Sequence, residues 1–414
     1  MIILFVMAGN VVAQSRYIGT SAPEDITVIA FFNQNYLIQR ETADALRRLP
    51  DVRLLVIDIH PHPSAEQAAQ AAEILIRHRC AVLVMVNEWG MDIGGVLHGL
   101  LEKNRIIHVN WSVDDPFFEE IILTKKFRPS RLRIDFVSDK GYVQPMIERG
   151  YNARFLPLAA DPKWFHPQPA GQEIYDHDVI FAGNSYLRQM DDLLKIAPGF
   201  IETLAPFLGD IVRRYHDDVE YDVEGHIAKK IKNISLPDHL TFEKALFIAK
   251  HAAGYLGRKQ IVLALAKRYP SFKVFGENGW LRELPKERIG TAKYYDSLCG
   301  TYHRAKITVD INRMVIRNGC TQRAFDVPAS GAFVITSSKP VVHDLFATNG
   351  ADKEMVVFKS QSELCDLIDY YLAHEDERRA IAERGMKKVL AGHTYDHRIA
   401  AMFSAVATEF GNGR

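Results

Sequence analysis

Short apolar runs alternate with longer amphipathic stretches over the first third of the chain. The runs are rich in Val, Ile and Leu, as is typical of strands buried on both faces of a parallel sheet. The stretches between them have helical length, and strands that alternate with helices form βαβ units. The pattern predicts a doubly wound α/β domain with strands at residues 27–32, 53–59, 81–86, 105–110, 132–137 and 153–157, and helices at 36–49, 64–78, 93–103, 116–125 and 140–149.

The alternation stops at residues 155–167, where three prolines and several small residues interrupt it. Such a segment is typical of a domain boundary. The alternation then restarts, except for one long stretch of mixed charge without a clear strand, which predicts a helical insertion. We therefore predict an N-terminal Rossmann-like domain (1–160), a linker (161–170), a C-terminal Rossmann-like domain (171–392, with the insertion at about 189–255) and a C-terminal helical segment (393–414).

The charge balance excludes some classes of partner. The 414 residues include 51 Lys and Arg and 51 Asp and Glu, so nothing favours nucleic acid or an anionic membrane as the main ligand. The four cysteines show no CxxC pairing, which predicts reduced thiols and a cytoplasmic location. The apolar run at residues 1–7 lacks a basic region and is too short to span a bilayer, so we expect an edge strand there rather than a signal peptide.

One segment of the C-terminal half carries the sharpest signal. A predicted helix at residues 321–329 follows a strand and a glycine, and free amides at a helix N-terminus suit a diphosphate. Arg323 adds a charged donor, and Asp326 is placed to accept hydrogen bonds from ribose hydroxyls. The alternative is an ordinary surface helix that ends at Gly331. The backbone groups expected to contact the anion belong to Gly319, Cys320 and Thr321.

Two strand ends of the C-terminal half add candidates, because ligands of doubly wound sheets bind at the carboxyl ends of strands. Asn312 and Arg313 follow one strand, although Arg313 is equally suited to a solvated loop. Gly183, Asn184 and Arg188 follow another, which is a weak signal because many Rossmann units have a glycine there.

Several other chemistries lack their motifs. The chain has no GxGxxG and no Walker A sequence, which argues against dinucleotide oxidoreductases and P-loop NTPases. His60 and His62 have metal-like spacing, but no partner cluster is evident, so we predict a turn and no metal.

In the first half, polar groups and an aromatic residue end the strand at 105–110. Asn110, Trp111 and Asp114 are candidates for an acceptor cleft, and Glu88 follows the preceding strand. Carboxylates at such a strand end can act as a base or accept from sugar hydroxyls. Asp115 precedes a proline and is equally suited to cap the next helix.

Taken in order, these segments resemble the CgeB-like (spore-protein-type) glycosyltransferases, a branch of the GT-B enzymes. The likeness covers nearly the whole chain and rests on residues 110–116, 155–167, 310–331, 372–379 and 393–398. It implies two doubly wound Rossmann-like domains that face each other across a cleft. It also implies a nucleotide-sugar donor in the C-terminal domain, an acceptor in the N-terminal domain, and a final helix that returns to the N-terminal domain.

The sequence departs from this family pattern at the donor site. Many relatives carry an E-x7-E pair, whose second acid aligns with Asp326, the expected ribose ligand, and whose first falls on Asn318. An Arg that often follows the first glycine of the C-terminal domain is replaced by Asn184, and Arg188 lies near the position of a Lys.

The expected function is therefore hexosyl transfer from a nucleoside diphosphate sugar such as a UDP-sugar. Arg323, Arg188 and the amides of residues 319–321 would stabilise the leaving diphosphate, so no obligatory metal or cofactor is expected. The family implies retention of configuration; if the enzyme inverts, Asp114 or Asp115 is the candidate base. The alternatives are a nucleotide-sugar 2-epimerase-like enzyme and a catalytically degenerate glycan- or nucleotide-binding protein. The acceptor, the nucleotide base and the oligomeric state cannot be read from the sequence.

Overall fold

The structure is a computed structural model that describes residues 14–18, 27–124, 129–169 and 174–411, with the backbone alone for residues 14–18. The described residues fall into two compact units. The N-terminal unit comprises the residues up to 158 together with those from 395 onwards, and the C-terminal unit comprises residues 159–394. The edge strand expected at residues 1–7 lies outside the described residues.

The N-terminal unit is built on a seven-stranded sheet. Its strands are β1 (Gln14–Ile18), β2 (Thr27–Asn33), β3 (Val52–Asp58), β4 (Val82–Val86), β5 (Ile107–Ser112), β6 (Arg133–Val137) and β7 (Ala153–Phe155). The order is β1-β3-β2-β4-β5-β6-β7, and all pairs are parallel except β1 with β3. The sequence did not predict β1, and an antiparallel edge strand is common on such sheets.

Helices of the N-terminal unit connect these strands. They are α1 (Gln39–Arg47), α2 (Ala65–Arg77), α3 (Val96–Lys103), α4 (Phe118–Leu123) and α5 (Val143–Glu148). The start of α2 shows the local cause: the Ser64 hydroxyl accepts from the Gln67 amide, and the Gln67 side chain accepts from the Ser64 amide. Ala68, Ala71 and Leu75 recur at helical spacing and are buried against the sheet.

The C-terminal unit has a six-stranded sheet of parallel strands. They are β8 (His177–Ala182), β9 (Lys273–Phe275), β10 (Ile289–Gly290), β11 (Ala305–Asp310), β12 (Val334–Ser337) and β13 (Val356–Phe358). The order is β10-β9-β8-β11-β12-β13. The chain runs outward in one direction from β8 and in the other from β11, so the topological switch point lies between these two strands. Ligands of doubly wound sheets bind at that point.

The helical insertion is longer than predicted. The helices of this unit are α6 (Leu187–Ile196), α7 (Phe200–Asp217), α8 (Val223–Ile231), α9 (Phe242–Arg268), α10 (Leu298–His303), α11 (Arg323–Ala329), α12 (Pro340–Leu345), α13 (Gln361–Ala373) and α14 (Glu375–Gly392). The insertion ends at Arg268, not near 255, because α9 continues through two glycines. A Cβ at Gly257 would lie 2.1 Å from Cε of Met314, so glycine allows close packing there.

The last helix, α15 (Tyr395–Phe410), packs against α1 in the N-terminal unit. The Arg398 guanidinium Nε donates to the carbonyl oxygen of Pro157 at 2.8 Å. Each unit is thus a parallel or nearly parallel sheet flanked by helices, and the predicted fold of two doubly wound α/β domains is confirmed. Among the described residues, no helix is both long and apolar enough to cross a membrane.

Candidate functional site

The carboxyl ends of β8 and β11 bring two predicted candidate segments together. These strands are neighbours in register, so Gly183 and Asn184 after β8 lie beside Ile311, Asn312 and Arg313 after β11. The structure therefore joins, at the switch point, residues that lie far apart in the sequence.

Glycine is required at position 183 by the space around it. A Cβ there would lie 2.7 Å from Cζ of Phe181 and 3.2 Å from Nη1 of Arg323. The Gly183 amide donates to the carbonyl oxygen of Phe275 at 2.8 Å, which fixes the loop to the next strand. The loop therefore passes close to an arginine side chain, which any larger residue would displace.

Three arginines converge next to this loop, and we call Tyr186, Arg258, Arg313 and Arg323 the arginine cluster. The guanidinium carbons of Arg258 and Arg313 lie 4.8 and 5.2 Å from the ring centroid of Tyr186. Arg258 comes from α9, and its Nη2 donates to the carbonyl oxygen of Ile311 at 2.7 Å. The helical insertion therefore contributes a cation to the switch point.

The pKa values of the cluster show an excess of positive charge. Burial by itself would raise the pKa of Tyr186, but nearby positive charges, those of Arg313 and Arg258 first, outweigh it and lower this pKa to about 6. Burial and the charges of Arg323 and Arg313 lower the pKa of Arg258 to about 10 against the opposing effect of Tyr186. Such a site favours an anionic ligand.

Arg323 is tied to the strand end by a buried ion pair. Its Nε donates to Oδ1 of Asp310 at 2.7 Å, and its Nη1 donates to the carbonyl oxygen of Ala182 at 2.9 Å. Asp310 is fully buried and also accepts from the hydroxyls of Thr321 and Thr336, both at 2.8 Å. Burial lowers the pKa of Arg323, but the Asp310 carboxylate raises it more, so the net shift is upward.

The predicted helix N-terminus needs correction. Helix α11 begins at Arg323 rather than at residue 321, and it has seven residues. Gly319 and Cys320 are buried in the preceding loop, and the Asn318 side-chain oxygen accepts from the Val341 amide at 2.8 Å. These residues shape the loop, and they do not form an open first helical turn.

Asp326, predicted to bind ribose, already has partners inside the unit. Its Oδ2 accepts from the Tyr294 hydroxyl and its Oδ1 from the Gln322 amide, both at 2.9 Å. The residue is 1% exposed. Contact with a ribose therefore requires Tyr294 or Gln322 to move.

Two further candidates, Arg188 and Asn312, differ in their exposure to solvent. Arg188 is exposed near the start of α6, and no contact links it to the arginine cluster among the described residues. Asn312 is buried, and neither its side-chain oxygen nor its nitrogen has a hydrogen-bond partner in the described part of the chain. Arg188 therefore lies apart from the cluster, whereas Arg258, for which the sequence offered no motif, lies in it.

A comparison with known protein families matches the part of the chain that contains the arginine cluster. Residues 258–404 match the model of a family described as "Glycosyl transferase-like". The match covers about a third of the chain and includes all three arginines of the cluster, Arg258, Arg313 and Arg323. The C-terminal unit thus carries a glycosyltransferase-like segment.

Solved structures of similar fold extend over the whole chain. The structure of Anabaena Alr3699/HepE in complex with UDP-glucose has a TM-score of 0.55 and 8% identity, covering 92% of this chain and 99% of that one. The same protein in complex with UDP has a TM-score of 0.51 and 8% identity, covering 92% and 100%. At this identity the likeness shows the fold alone. No curated protein has significant sequence similarity to the chain.

In the N-terminal unit, the structure corrects three acceptor-cleft predictions. Trp111 is fully buried, and its indole nitrogen donates to the Leu156 carbonyl oxygen at 3.1 Å. Asn110 is 1% exposed and donates to Asp135 at 3.1 Å, and Glu88 is buried in an ion pair with Arg133. These side chains stabilise the sheet interior, because alternate residues of a central strand face the packed layers.

Asp114 and Asp115 lie at the surface-facing end of the same strand and are half-buried. Asp114 accepts from the Asn87 amide at 3.0 Å. Asp115 accepts from the Phe117 amide at 3.0 Å and from the Tyr142 hydroxyl at 2.7 Å. These contacts hold Asp115 in the turn before α4, whose N-cap is Phe117 with no side-chain cap hydrogen bond, so the capping alternative is wrong. The proposed base role of either residue stays a prediction.

The helical insertion also braces the loop that follows β11. Glu224 on α8 accepts from the Arg317 Nε at 2.8 Å and from the Lys250 Nζ at 3.1 Å. Lys250 is 4% exposed, and this carboxylate compensates the charge of its ammonium group. These ionic contacts, which we call the ionic brace, therefore link α8 and α9 to the loop that follows β11.

We predict that Glu224→Gln lowers the free energy of unfolding at pH 7 by about 2 kcal/mol, because the buried Lys250 loses its counter-charge. Burial raises the pKa of Glu224, but Lys250 and Arg317 outweigh it, so the pKa in the folded protein lies below the ordinary value of 4.5. The stabilising contribution is thus complete above pH 4.5 and is lost as the pH falls through the folded-state pKa.

Urea unfolding at pH 7 and at about pH 3.5 measures this contribution. The difference between wild type and Glu224→Gln should shrink at the lower pH, and an equal difference at both would contradict the ionic brace. Glu243→Gln, an exposed position at the start of α9, is the control and should change stability by less than about 0.5 kcal/mol.

Proposed function

We propose that the chain is a glycosyltransferase that uses a nucleoside diphosphate sugar, with the donor diphosphate bound by the arginine cluster. The observation that carries the proposal is the convergence of three guanidinium groups at the switch point, with Arg258 and Arg313 over the Tyr186 ring and Arg323 beside Gly183. The match of residues 258–404 to the glycosyltransferase-like family and the GT-B fold support it.

Charge explains why the ligand is a diphosphate. Asp310 pairs with Arg323, whereas Arg258 forms no ion pair with a carboxylate among the described residues. Buried charge without compensation is costly. A diphosphate supplies the missing negative charge, and arginine forms directed, charge-assisted hydrogen bonds to phosphate oxygens.

The same groups then stabilise the leaving group. As the bond between the anomeric carbon and the β-phosphate oxygen breaks, its electron pair passes to that oxygen. Arginines fixed in place before the reaction stabilise this developing charge without reorganisation. The acceptor hydroxyl oxygen bonds to the anomeric carbon, and in a retaining front-face reaction the phosphate oxygen takes the hydroxyl proton. This route requires no nucleophile and no metal ion from the protein.

The finer assignments belong to the same proposal. We place the chain in the CgeB-like branch, with hexosyl transfer and retention of configuration, on the ordered motifs at residues 110–116, 155–167, 310–331, 372–379 and 393–398. We propose a cytoplasmic location because the four cysteines show no CxxC pairing. The N-terminal unit binds the acceptor, with Asp114 or Asp115 as the base if the reaction inverts. Asn184, Asn312, Asn318 and the 319–321 loop surround the donor, and Asp326 binds ribose after a local rearrangement.

A nucleotide screen tests the proposal. UDP is the first ligand to try, since Alr3699/HepE, which has a similar fold, was solved with UDP-glucose, and GDP, dTDP and CDP complete the set. A nucleotide at 100 times its dissociation constant should stabilise the protein by about 2.7 kcal/mol in thermal unfolding. If none of the four changes stability or gives a calorimetric signal, the donor site is wrong.

Product analysis then separates the chemistries. The matching nucleotide sugar is incubated alone and with mixed glycan and small-molecule acceptors. A glycosylated product or slow release of free sugar supports a transferase. An epimer formed from the donor alone would show that the protein is an epimerase and not a transferase. Binding without any turnover would indicate a degenerate site.

A further inference from the structure

The side chain of Asn312 is buried at the switch point without a hydrogen-bond partner. It is 2% exposed, and neither its Oδ1 nor its Nδ2 has a partner among the residues that the structure describes. A primary amide offers two donor hydrogens and an oxygen that accepts up to two hydrogen bonds. Burying such a group without partners is unfavourable, so its presence in the interior requires an explanation.

The backbone around Asn312, by contrast, is held from both sides. The Ile311 carbonyl oxygen accepts from Nη2 of Arg258 at 2.7 Å. The Asn312 amide of the same peptide group donates to Oγ of Ser337 at 3.1 Å. The Asn312 carbonyl oxygen accepts from the Tyr215 hydroxyl at 3.4 Å. These contacts fix the position from which the Asn312 side chain starts, and they leave its two polar atoms for another partner.

The neighbours of Asn312 belong to the arginine cluster. Arg313 follows it directly in the sequence, and Arg258 donates to the carbonyl group that precedes it. The guanidinium carbons of both arginines lie within 5.2 Å of the Tyr186 ring centroid. The Nε atom of Arg258 is also buried without a partner in the described ranges. Polar atoms that the chain does not satisfy thus gather where the donor diphosphate is proposed to bind.

The chemistry of the amide selects the part of the donor that it contacts. Diphosphate oxygens accept hydrogen bonds and donate none, so they satisfy Nδ2 and leave Oδ1 without a partner. A hydroxyl group both donates and accepts. The ribose and the transferred sugar carry hydroxyls next to the diphosphate, whereas the base is separated from it by the ribose. Because Asp326 is the proposed ribose ligand, the transferred sugar is the part that remains for Asn312.

We propose that Asn312 determines specificity for the transferred sugar by binding one of its hydroxyl groups, with Nδ2 as the donor and Oδ1 as the acceptor. The inference rests on the proposed function, because only a nucleotide sugar places such a hydroxyl beside the arginine cluster. Since the amide is enclosed by its neighbours, one of the surrounding side chains must move when the sugar binds, as interface side chains commonly do.

Calorimetry with UDP and UDP-glucose tests this assignment, because the two ligands share the nucleoside and the diphosphate. Asn312→Leu removes both polar atoms and keeps the branched shape of the side chain. It should weaken UDP-glucose binding at least about 10-fold, because a sugar hydroxyl then meets an apolar group. UDP should keep its affinity. The melting temperature should rise, because the variant no longer buries an amide without partners.

Thr308→Val is the matched control. Thr308 lies on β11, is fully buried, and its hydroxyl also has no partner within the described residues. It pairs with β8 on one side and β12 on the other, inside the sheet and away from the strand end. The control should raise the melting temperature too, but it should leave the affinities for UDP and UDP-glucose unchanged. It therefore separates removal of a buried polar atom from loss of a ligand contact.

Deoxy analogues of UDP-glucose identify the hydroxyl. One analogue should bind the wild type at least about 10-fold more weakly than UDP-glucose, and Asn312→Leu should not weaken it further, because both changes remove the same hydrogen bonds. If every analogue is weakened by Asn312→Leu as much as UDP-glucose is, the amide does not contact a sugar hydroxyl and the inference is wrong.

Three further outcomes count against the inference. Equal weakening of UDP and UDP-glucose by Asn312→Leu would place the amide at the nucleotide. Unchanged binding of both would show that the amide serves an internal water molecule. A wild type that binds UDP but no UDP-sugar would leave the amide without its partner. Asn312→Ala, which adds no volume, is the second variant in case leucine does not fit. If the wild type binds no nucleotide at all, the proposed function fails first.

Discussion

Arg258→Met is expected to abolish measurable UDP binding and to reduce turnover at least about 100-fold. The guanidinium lies in the interior, over the Tyr186 ring, with its Nη2 on the Ile311 carbonyl oxygen. Loss of one preorganised donor to a developing phosphate charge costs about 100- to 1,000-fold in rate. Calorimetry with UDP and initial rates with the matching nucleotide sugar measure the two effects.

The fold should survive this substitution. Arg258 has no carboxylate partner among the described residues, and the neighbouring Arg313 and Arg323 charges disfavour its own charge. Its removal leaves the carbonyls of Asn184 and Ile311 without their donor but relieves repulsion, so we expect a change in unfolding free energy of about 1 kcal/mol. Arg213→Met, at an exposed position on α7, is the control for loss of one positive charge.

Arg258→Lys separates charge from geometry. A lysine keeps the positive charge but cannot reproduce the planar fork of donors. We expect UDP binding to weaken about 10-fold, between the wild type and the methionine variant. Normal binding by Arg258→Met would contradict the assignment, and equal losses in the Lys and Met variants would show that geometry rather than charge dominates.

The fold could be predicted from the sequence because strands buried in a parallel sheet consist of continuous runs of apolar residues. The runs at 27–32 and 81–86 correspond to β2 and β4, and both lie inside their sheet. β1 was missed because an edge strand of polar residues has no such signature. The predicted insertion ended near residue 255 because Gly254 and Gly257 interrupt the helical pattern, although α9 continues through both glycines to Arg268.

The candidate site was only partly predictable, for a physical reason. Gly183, Arg313 and Arg323 follow strands or open a helix, so the rule for strand ends finds them. Arg258 lies inside a long helix, and only the tertiary packing of α9 brings it to the switch point. Trp111, by contrast, was predicted to line a cleft because it lies at a strand end, but it is buried. Whether a side chain at such a position faces solvent or the interior depends on tertiary packing.

Arg323→Ala is expected to abolish turnover and also to destabilise the protein by about 3 kcal/mol. In addition to its proposed role at the donor site, this side chain supports the fold. The Arg323 side chain neutralises the fully buried Asp310 at 2.7 Å, so its removal leaves a carboxylate without a counter-charge in the interior. Urea unfolding measures the loss, and inactivity of this variant alone does not separate catalysis from stability.

The double variant Asp310→Asn Arg323→Met makes that separation. Replacing both members of a buried ion pair by neutral groups is often close to neutral for stability. An asparagine side-chain oxygen still accepts from the Thr321 and Thr336 hydroxyls, so we expect stability to recover to within about 1 kcal/mol of wild type. Activity should remain at least about 100-fold reduced, because this guanidinium no longer stabilises the negative charge that develops on the donor diphosphate. Recovery of activity together with stability would show that Arg323 supports the fold and that the diphosphate is held by Arg258 and Arg313 without it.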